Sequence, residues 1–216
     1  MKNESIKNKK IRISKIISIL KDEYPDSKCS LIYKSPFQLL VATILSAQCT
    51  DERVNKVTSI MFKKYPDAKS FSKLSIQEIG KLIYSTGFYN NKAKNIKKMS
   101  DIVCKDLKGE IPNNIDSLVQ LPGVGRKTAN VVLGNVFKKP ALVVDTHVTR
   151  ITNLLKFVNT KNAVIIEKEL CKIVDPSNWS ILAHLLIDHG RKVCIANRPK
   201  CIECSFRMLC PSSSHK

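Results

Sequence analysis

The sequence lacks several features that would each indicate a different class of protein. Its 216 residues contain no stretch of about 18 uncharged apolar residues, so no membrane-spanning helix is expected. No segment alternates apolar and polar residues for long, as a half-buried strand would, and we expect a mostly α-helical chain. No apolar segment with a small-residue cleavage site follows the basic N-terminus, which favours the cytoplasm over secretion.

Acidic residues are scarce. There are 18 Asp and Glu against 37 Lys and Arg, which gives a formal net charge of +19. Such an excess indicates a polyanionic partner, because neutralising phosphates releases counterions. A lysine-rich composition of the source genome is the competing explanation. Charge alone does not separate DNA from RNA or from an anionic membrane.

The run Leu121-Pro-Gly-Val-Gly-Arg-Lys-Thr-Ala-Asn130 carries the strongest local signal. Apolar spacing over residues 115–121 predicts a short helix, and a second, more buried helix is predicted from Thr128. Between them, Gly123 and Gly125 each permit a positive φ, so we expect a tight hairpin between two helices.

This hairpin has the properties of a phosphate-binding turn. The N–H groups at a helix N-terminus attract anions, and Arg126 and Lys127 adjoin the two glycines. We therefore expect DNA contacts at Gly123, Gly125 and Arg126. The helix dipole disfavours protonation of an amine placed where Lys127 stands. The alternative interpretation is a helix–turn–helix corner with a solvated lysine.

Amphipathic or apolar spacing predicts further helices. The apolar segment that begins at Ser35 and Pro36 is predicted to be a central core helix, with Ser35 as its cap. The predicted helices are Ile11–Tyr24, Ser35–Gln48, Asp51–Lys64, Ser75–Tyr84, Asn91–Leu107 and Trp179–Gly190. Between two of them lies the glycine turn of residues 87–92, which carries aromatic residues and a lysine.

Asp145 precedes an apolar-periodic segment and is predicted to cap a helix. Such a cap contributes about 1 kcal/mol of stability. A capping carboxylate at the rim of a cleft can also serve in catalysis, because both roles need the ionised form. His147, two residues later, is predicted to order this turn rather than to catalyse.

Four of the eight cysteines lie within residues 194–210, in the spacing C-x6-C-x2-C-x5-C. Four thiolates in so short a span can surround one compact centre. Zinc is the alternative to iron–sulfur, although structural zinc sites usually contain two close pairs and this run has one. The predicted ligands are Cys194, Cys201, Cys204 and Cys210.

Taken together and in this order, the hairpin, the Val-Asp-Thr-His-Val segment and the cysteine run resemble the endonuclease III family of helix–hairpin–helix DNA glycosylases. The resemblance implies an all-α, two-lobed fold. One lobe would be a helical barrel of residues 29–139, and the other, residues 1–28 and 140–216, would hold a [4Fe-4S] cluster. It implies removal of oxidised pyrimidines from double-stranded DNA, and β-elimination 3′ to the abasic site through a lysine Schiff base. Nothing in the sequence indicates oligomerisation, so a monomer is expected.

The resemblance assigns the family's site residues to the matching positions of this sequence. The resemblance makes Lys127 the nucleophile, Asp145 its acid/base partner, and the four cysteines the cluster ligands. Gln48, in a Ser-Ala-Gln segment, would fill the space that a flipped nucleotide leaves; alternatively it is a polar residue at a helix end. Phe88 stands where the family usually has a wedging leucine.

Two further residues lie between the first two cysteines. Arg198 and Lys200 project from a loop that the cluster would constrain, and we expect them to contact phosphate. The alternative is that they are ordinary solvated charges.

Other functions remain open from sequence alone. The related adenine glycosylase lacks the lysine and carries a glutamate in the helix where this chain has Thr43–Gln48. A thymine-mismatch glycosylase of the superfamily need not use lysine. A helix–hairpin–helix module that binds DNA without catalysis is the third possibility.

Overall fold

Residues 4–214 are described by the structure, a computed structural model. Every regular element in that part of the chain is a helix, which confirms the predicted all-α class. Short 3-10 helices lie at Tyr84–Thr86, Pro176–Asn178, Cys201–Glu203 and Arg207–Leu209. The α-helices are α1 (Ile6–Glu23), α2 (Pro36–Leu45), α3 (Asp51–Lys64), α4 (Ala68–Ser72), α5 (Ile76–Ile83), α6 (Tyr89–Lys105), α7 (Ile115–Leu118), α8 (Arg126–Asn135), α9 (Thr146–Leu154), α10 (Ala163–Ile173) and α11 (Trp179–Lys192).

The chain divides into two compact units, of which one is Cys29–Lys139. Its centre is α2, every residue of which after Pro36 is buried. Ser35 caps this helix by accepting the N–H of Gln38 at 3.2 Å, as predicted. The helices α3, α6 and α8 pack around α2, and α4 and α5 pack on α6.

The other unit joins the chain up to Lys28 with the chain from Pro140 onward. In it, α1 packs on α10 and α11, and α11 packs on α9. Arg12 of α1 pairs with Glu4 at 2.6 Å and donates to the carbonyls of Leu155 and Leu209 at 2.9 and 3.1 Å. One guanidinium therefore fixes α1 to two later segments of this unit.

Some helix ends differ from the prediction. The first helix starts at Ile6 rather than Ile11, because Ser5 caps it by accepting the N–H of Asn8. The exposed residues of that added turn give no apolar period to detect. Helix α8 begins at Arg126, two residues before the predicted Thr128. No prediction covered α4 or α10.

We found no helix in residues 4–214 with both the length and the hydropathy that crossing a bilayer requires.

Candidate functional site

The hairpin between α7 and α8 is built on one glycine with unusual geometry. Gly123 has φ +80°, and a Cβ there would lie 2.9 Å from the Cβ of Asn95 on α6. Both the backbone angle and the contact thus require glycine. The buried side chains of Leu121 and Val124, on either side, hold the turn to the core of its unit.

Gly125 does not have the predicted geometry. Its φ is −89° and its ψ is 175°, so the expectation of a second positive φ is wrong. The residue takes the extended conformation of a helix N-cap, which other residues also adopt. Apart from its chain neighbours, no described atom lies within 4 Å of a Cβ placed on Gly125, so packing within the described chain does not demand a glycine.

Lys127 lies on the first turn of α8, which has no side-chain cap. Gly125 is the N-cap and has no side chain that could accept an N–H from the first turn of α8. Arg126 and Lys127 are both exposed at this helix end. The geometry is therefore that of an open anion site with an accessible amine beside it.

Asp145 is the N-cap of α9, which confirms the predicted capping role. Its carboxylate accepts the N–H of Val148 at 2.8 Å, and the residue is half-buried. The four residues before it, 141–144, are buried, so the backbone leading to the carboxylate is anchored in the core of its unit.

A set of contacts that the sequence did not reveal supports the start of α9. A Cβ on Gly190 of α11 would lie 2.5 Å from the Nδ1 of His147, so only glycine fits beneath this ring. Arg150 donates to the carbonyls of Gly190 and Cys194 at 3.3 and 2.5 Å. Burial lowers the pKa of His147, and the nearby Asp145 opposes this decrease. The lowered pKa favours an uncharged ring, which can pack against its neighbours.

All four predicted cysteine ligands line one cavity of about 60 Å³. None of them is in a disulfide. Apolar side chains that include Leu155, Val193 and Phe206 complete the wall. Within residues 4–214, no three His, Cys, Asp or Glu side chains are gathered closely enough to hold a single metal ion. The four thiols therefore line one space but are not drawn together around a single-ion site.

The surroundings of the cavity shift the pKa of three of these thiols, and not all in the same direction. Burial raises the pKa of Cys194, and that of Cys204 to about 11, whereas hydrogen bonds to Ser214 lower the pKa of Cys201. The guanidinium of Arg150 lies beside Cys194 and opposes the increase there. Its Nε is buried without a hydrogen-bond partner in the described chain. A buried, unpaired donor beside Cys194 fits a negatively charged group held by these thiols.

His189 borders this cavity and is a core residue. Only 1% of the residue is exposed, and its Nε2 lies 3.7 Å from the sulfur of Cys204. Its ring packs at 4.6 Å from the ring of Phe206, and Nδ1 lies 3.4 Å from the hydroxyl of Tyr24.

Gln48 and Phe88 share an uncommon backbone conformation. Their φ angles are 53° and 47°, in the left-handed region, and both residues are exposed. Gln48 lies beyond the end of α2 at Leu45, so the predicted helix over Ser35–Gln48 is too long. Non-glycine residues in this region cost about 1–2 kcal/mol each. Lys108, Lys138 and Lys156 are also exposed and have the same conformation, so the backbone angle by itself does not single out Gln48 and Phe88.

Arg198 and Lys200 are both exposed in the loop between the first two cysteines. The Nζ of Lys200 lies 3.2 Å from a carboxylate oxygen of Glu203. Because exposed ion pairs contribute at most about 1 kcal/mol, a phosphate could displace this one.

Comparison with known proteins decides the family. Residues 41–176 match the model of the HhH-GPD superfamily base excision DNA repair proteins. The endonuclease III of Synechocystis sp. (strain ATCC 27184 / PCC 6803 / Kazusa) is 48% identical over 207 residues, which cover 95% of this chain and 94% of the relative. The chain belongs to the endonuclease III family.

Solved structures distinguish the remaining alternatives. A trapped endonuclease III–DNA covalent intermediate matches with a TM-score of 0.88 and 41% identity, over 94% of this chain and 96% of that one. A thermostable thymine-DNA glycosylase matches with a TM-score of 0.84 but only 25% identity, over 97% and 99%. The fold is common to both, and the sequence favours endonuclease III. The chain is a base excision repair DNA glycosylase/lyase, and mismatch glycosylases and non-enzymatic modules fit it less well.

Proposed function

We propose that Lys127 is the nucleophile that removes oxidised pyrimidines from double-stranded DNA and then cleaves the strand. The observation that carries the proposal is the position of Lys127: exposed, at the uncapped N-terminus of α8, directly after the glycine hairpin. A phosphate bound by the first N–H groups of this helix would place the sugar of a neighbouring nucleotide beside the amine. The trapped covalent intermediate of the endonuclease III relative supports a covalent route.

The proposed chemistry follows from an amine acting on deoxyribose. A damaged base must leave the stack before its sugar can be reached. The neutral Lys127 amine bonds to C1′ and the base departs with the electron pair of the glycosidic bond. Loss of a proton and opening of the sugar ring give the Schiff base. Its iminium acidifies the C2′ proton, and β-elimination breaks the bond from C3′ to the phosphate oxygen. Sodium borohydride, which reduces a Schiff base to a stable amine, tests this route.

Asp145 is proposed as the acid/base partner. As a carboxylate it can take a proton from the attacking amine and stabilise the positive charge that develops on the sugar. The hydrogen bond from the Val148 N–H and the contacts of Arg150 and His147 would hold the carboxylate in place during both steps.

The DNA contacts are proposed from exposure and backbone geometry. Gly123, Gly125 and Arg126 would contact phosphate, since open space at Gly125 lets the strand approach the N–H groups of α8. Gln48 and Phe88 would enter the duplex at the lesion, and Phe88 is of the apolar type that acts as a wedge between bases in proteins that unstack DNA. We infer a monomer that acts on chromosomal DNA, and hence in the cytoplasm at the nucleoid.

The salt dependence of binding tests Arg198. We expect log Kd to rise with log salt, and the slope for Arg198→Ala to be smaller by about 0.9 for each phosphate that the variant no longer neutralises. Fluorescence anisotropy with a duplex that holds a tetrahydrofuran abasic analogue measures both slopes. Lys172→Ala is the matched control, because Lys172 is an exposed lysine paired with Glu169 on α10. Equal slopes for Arg198→Ala and the wild type would remove Arg198 from the interface.

We propose that Cys194, Cys201, Cys204 and Cys210 hold a [4Fe-4S] cluster. The four thiols share one cavity, and Arg150 supplies an unpaired donor beside it. Bound there, the cluster would join the end of α11 to the last two 3-10 helices, in a segment with few buried side chains of its own.

Metal analysis tests the cluster. We expect purified protein to contain iron and acid-labile sulfide in equal amounts, and Cys204→Ser to lose both and to unfold at a lower temperature. Cys104→Ser is the control, because Cys104 is a half-buried thiol on α6 that does not line the cavity. If the purified protein instead contains stoichiometric zinc and no sulfide, the four cysteines form a zinc site and the cluster proposal is wrong.

A further inference from the structure

Lys92 is the one buried lysine or arginine among the residues that the structure describes. Only 5% of it is exposed, and its Nζ donates to the carbonyls of Leu45 and Thr86, each at 2.8 Å. Burial lowers the pKa of Lys92, as expected for an amine removed from water. Burying such a group is costly, and an apolar side chain of the same length would avoid the cost.

The two acceptors identify what the amine connects. Leu45 is the last residue of α2, three positions before Gln48, and Thr86 is two positions before Phe88. One ammonium group therefore binds the chain three positions before Gln48 and two positions before Phe88. One acceptor is a carbonyl of the last turn of α2, which has no partner within the helix, and the other is the carbonyl of the last residue of the 3-10 helix Tyr84–Thr86.

The same helix also supports the hairpin. On α6, Asn95 lies one turn after Lys92, and Asn95 is the residue that closely contacts Gly123. Residues on one face of α6 thus contact three segments for which we propose DNA contact: the end of α2, the Phe88 turn and the glycine hairpin.

We propose that Lys92 is a positioning residue that fixes the Gln48 segment and the Phe88 turn relative to each other, so that both side chains enter the DNA together. This inference rests on the proposed DNA roles of Gln48 and Phe88. It differs from a role in stability alone, because a residue that acts through these two side chains has no effect on activity once they are removed.

The test is a mutant cycle. Lys92→Met keeps an unbranched side chain that is one heavy atom shorter and removes its donors. We expect it to lower the single-turnover rate of excision of an oxidised pyrimidine by roughly 10- to 100-fold, since displacements of about 1 Å have such effects. In a Gln48→Ala, Phe88→Ala background we expect Lys92→Met to change the rate by less than about 2-fold. Lys92→Gln, which keeps an N–H donor, should be more active than Lys92→Met.

Lys97→Met is the matched control, because Lys97 also lies on α6 and donates to a backbone carbonyl, that of Ser72 at 2.7 Å, away from these segments. We expect it to retain the wild-type rate. An equal loss from Lys92→Met in both backgrounds would overturn the proposal, as would a wild-type rate for Lys92→Met. If Lys92→Met does not fold, Lys92→Gln replaces it in the cycle, and an equal loss of rate from Lys92→Gln in both backgrounds would overturn the proposal. Wild-type protein that excises no base would instead contradict the proposed function.

Discussion

Replacing Lys127 by alanine is expected to abolish covalent capture on DNA and to lower excision and strand cleavage by roughly 10³-fold or more, as loss of a nucleophile does in other enzymes. The Schiff base requires a primary amine at this helix end, and alanine supplies none. Lys127 is exposed, so the variant should fold with a change in unfolding free energy within about 0.5 kcal/mol. Single-turnover assays on a lesion duplex, with borohydride added in parallel, measure both effects.

The matched control for Lys127→Ala is Arg126→Ala, which removes a positive charge from the preceding residue of the same turn. We expect this variant to bind DNA more weakly and still to form the adduct at saturating protein. A Lys127→Ala protein that is captured as well as the wild type would show that another amine performs the reaction.

Replacing Asp145 by asparagine should separate its two roles. Asparagine caps helices about as well as aspartate, so the bond to the Val148 N–H is kept and the unfolding free energy should change by less than about 0.5 kcal/mol. The charge is lost, and with it proton transfer and stabilisation of the sugar cation, so excision should slow by about 10²-fold or more. Thermal unfolding and single-turnover excision measure the two effects independently.

Asp145→Ala completes this comparison, because it removes both the charge and the cap. Its unfolding free energy should be lower than that of Asp145→Asn by about 1 kcal/mol. If Asp145→Asn excises as fast as the wild type, Asp145 acts only as a helix cap, and another group takes the proton from the attacking amine.

Features that depend on neighbours in the chain could be predicted from the sequence. Helix α3 has the bounds that its pattern predicts, and the caps at Ser35 and Asp145 follow from a polar residue placed before an apolar period. The hairpin is predictable because Gly123 sits between two short apolar segments. The conformation of its second glycine is not, since an extended N-cap and a left-handed turn are equally open to glycine.

Features that depend on distant contacts could not be predicted. Lys92 belongs to a polar turn in the sequence, and only folding places its amine against Leu45, 47 positions earlier. The contact of Arg150 with Cys194 spans 44 positions. Gly190 gave no signal beyond ending an apolar helix, although His147 leaves no room there for a side chain. The pairing of Lys127 with Asp145 stays a prediction.

Identification of the residue bonded to DNA is the most direct test of the central claim that Lys127 is the nucleophile. Wild-type protein is reduced with borohydride on a duplex that contains one oxidised pyrimidine, digested, and analysed by mass spectrometry. We predict that the sugar remnant lies on the peptide of α8 that contains Lys127 and that fragmentation places it on this side chain. A remnant on any other amine, or excision that leaves no adduct at all, would contradict the account.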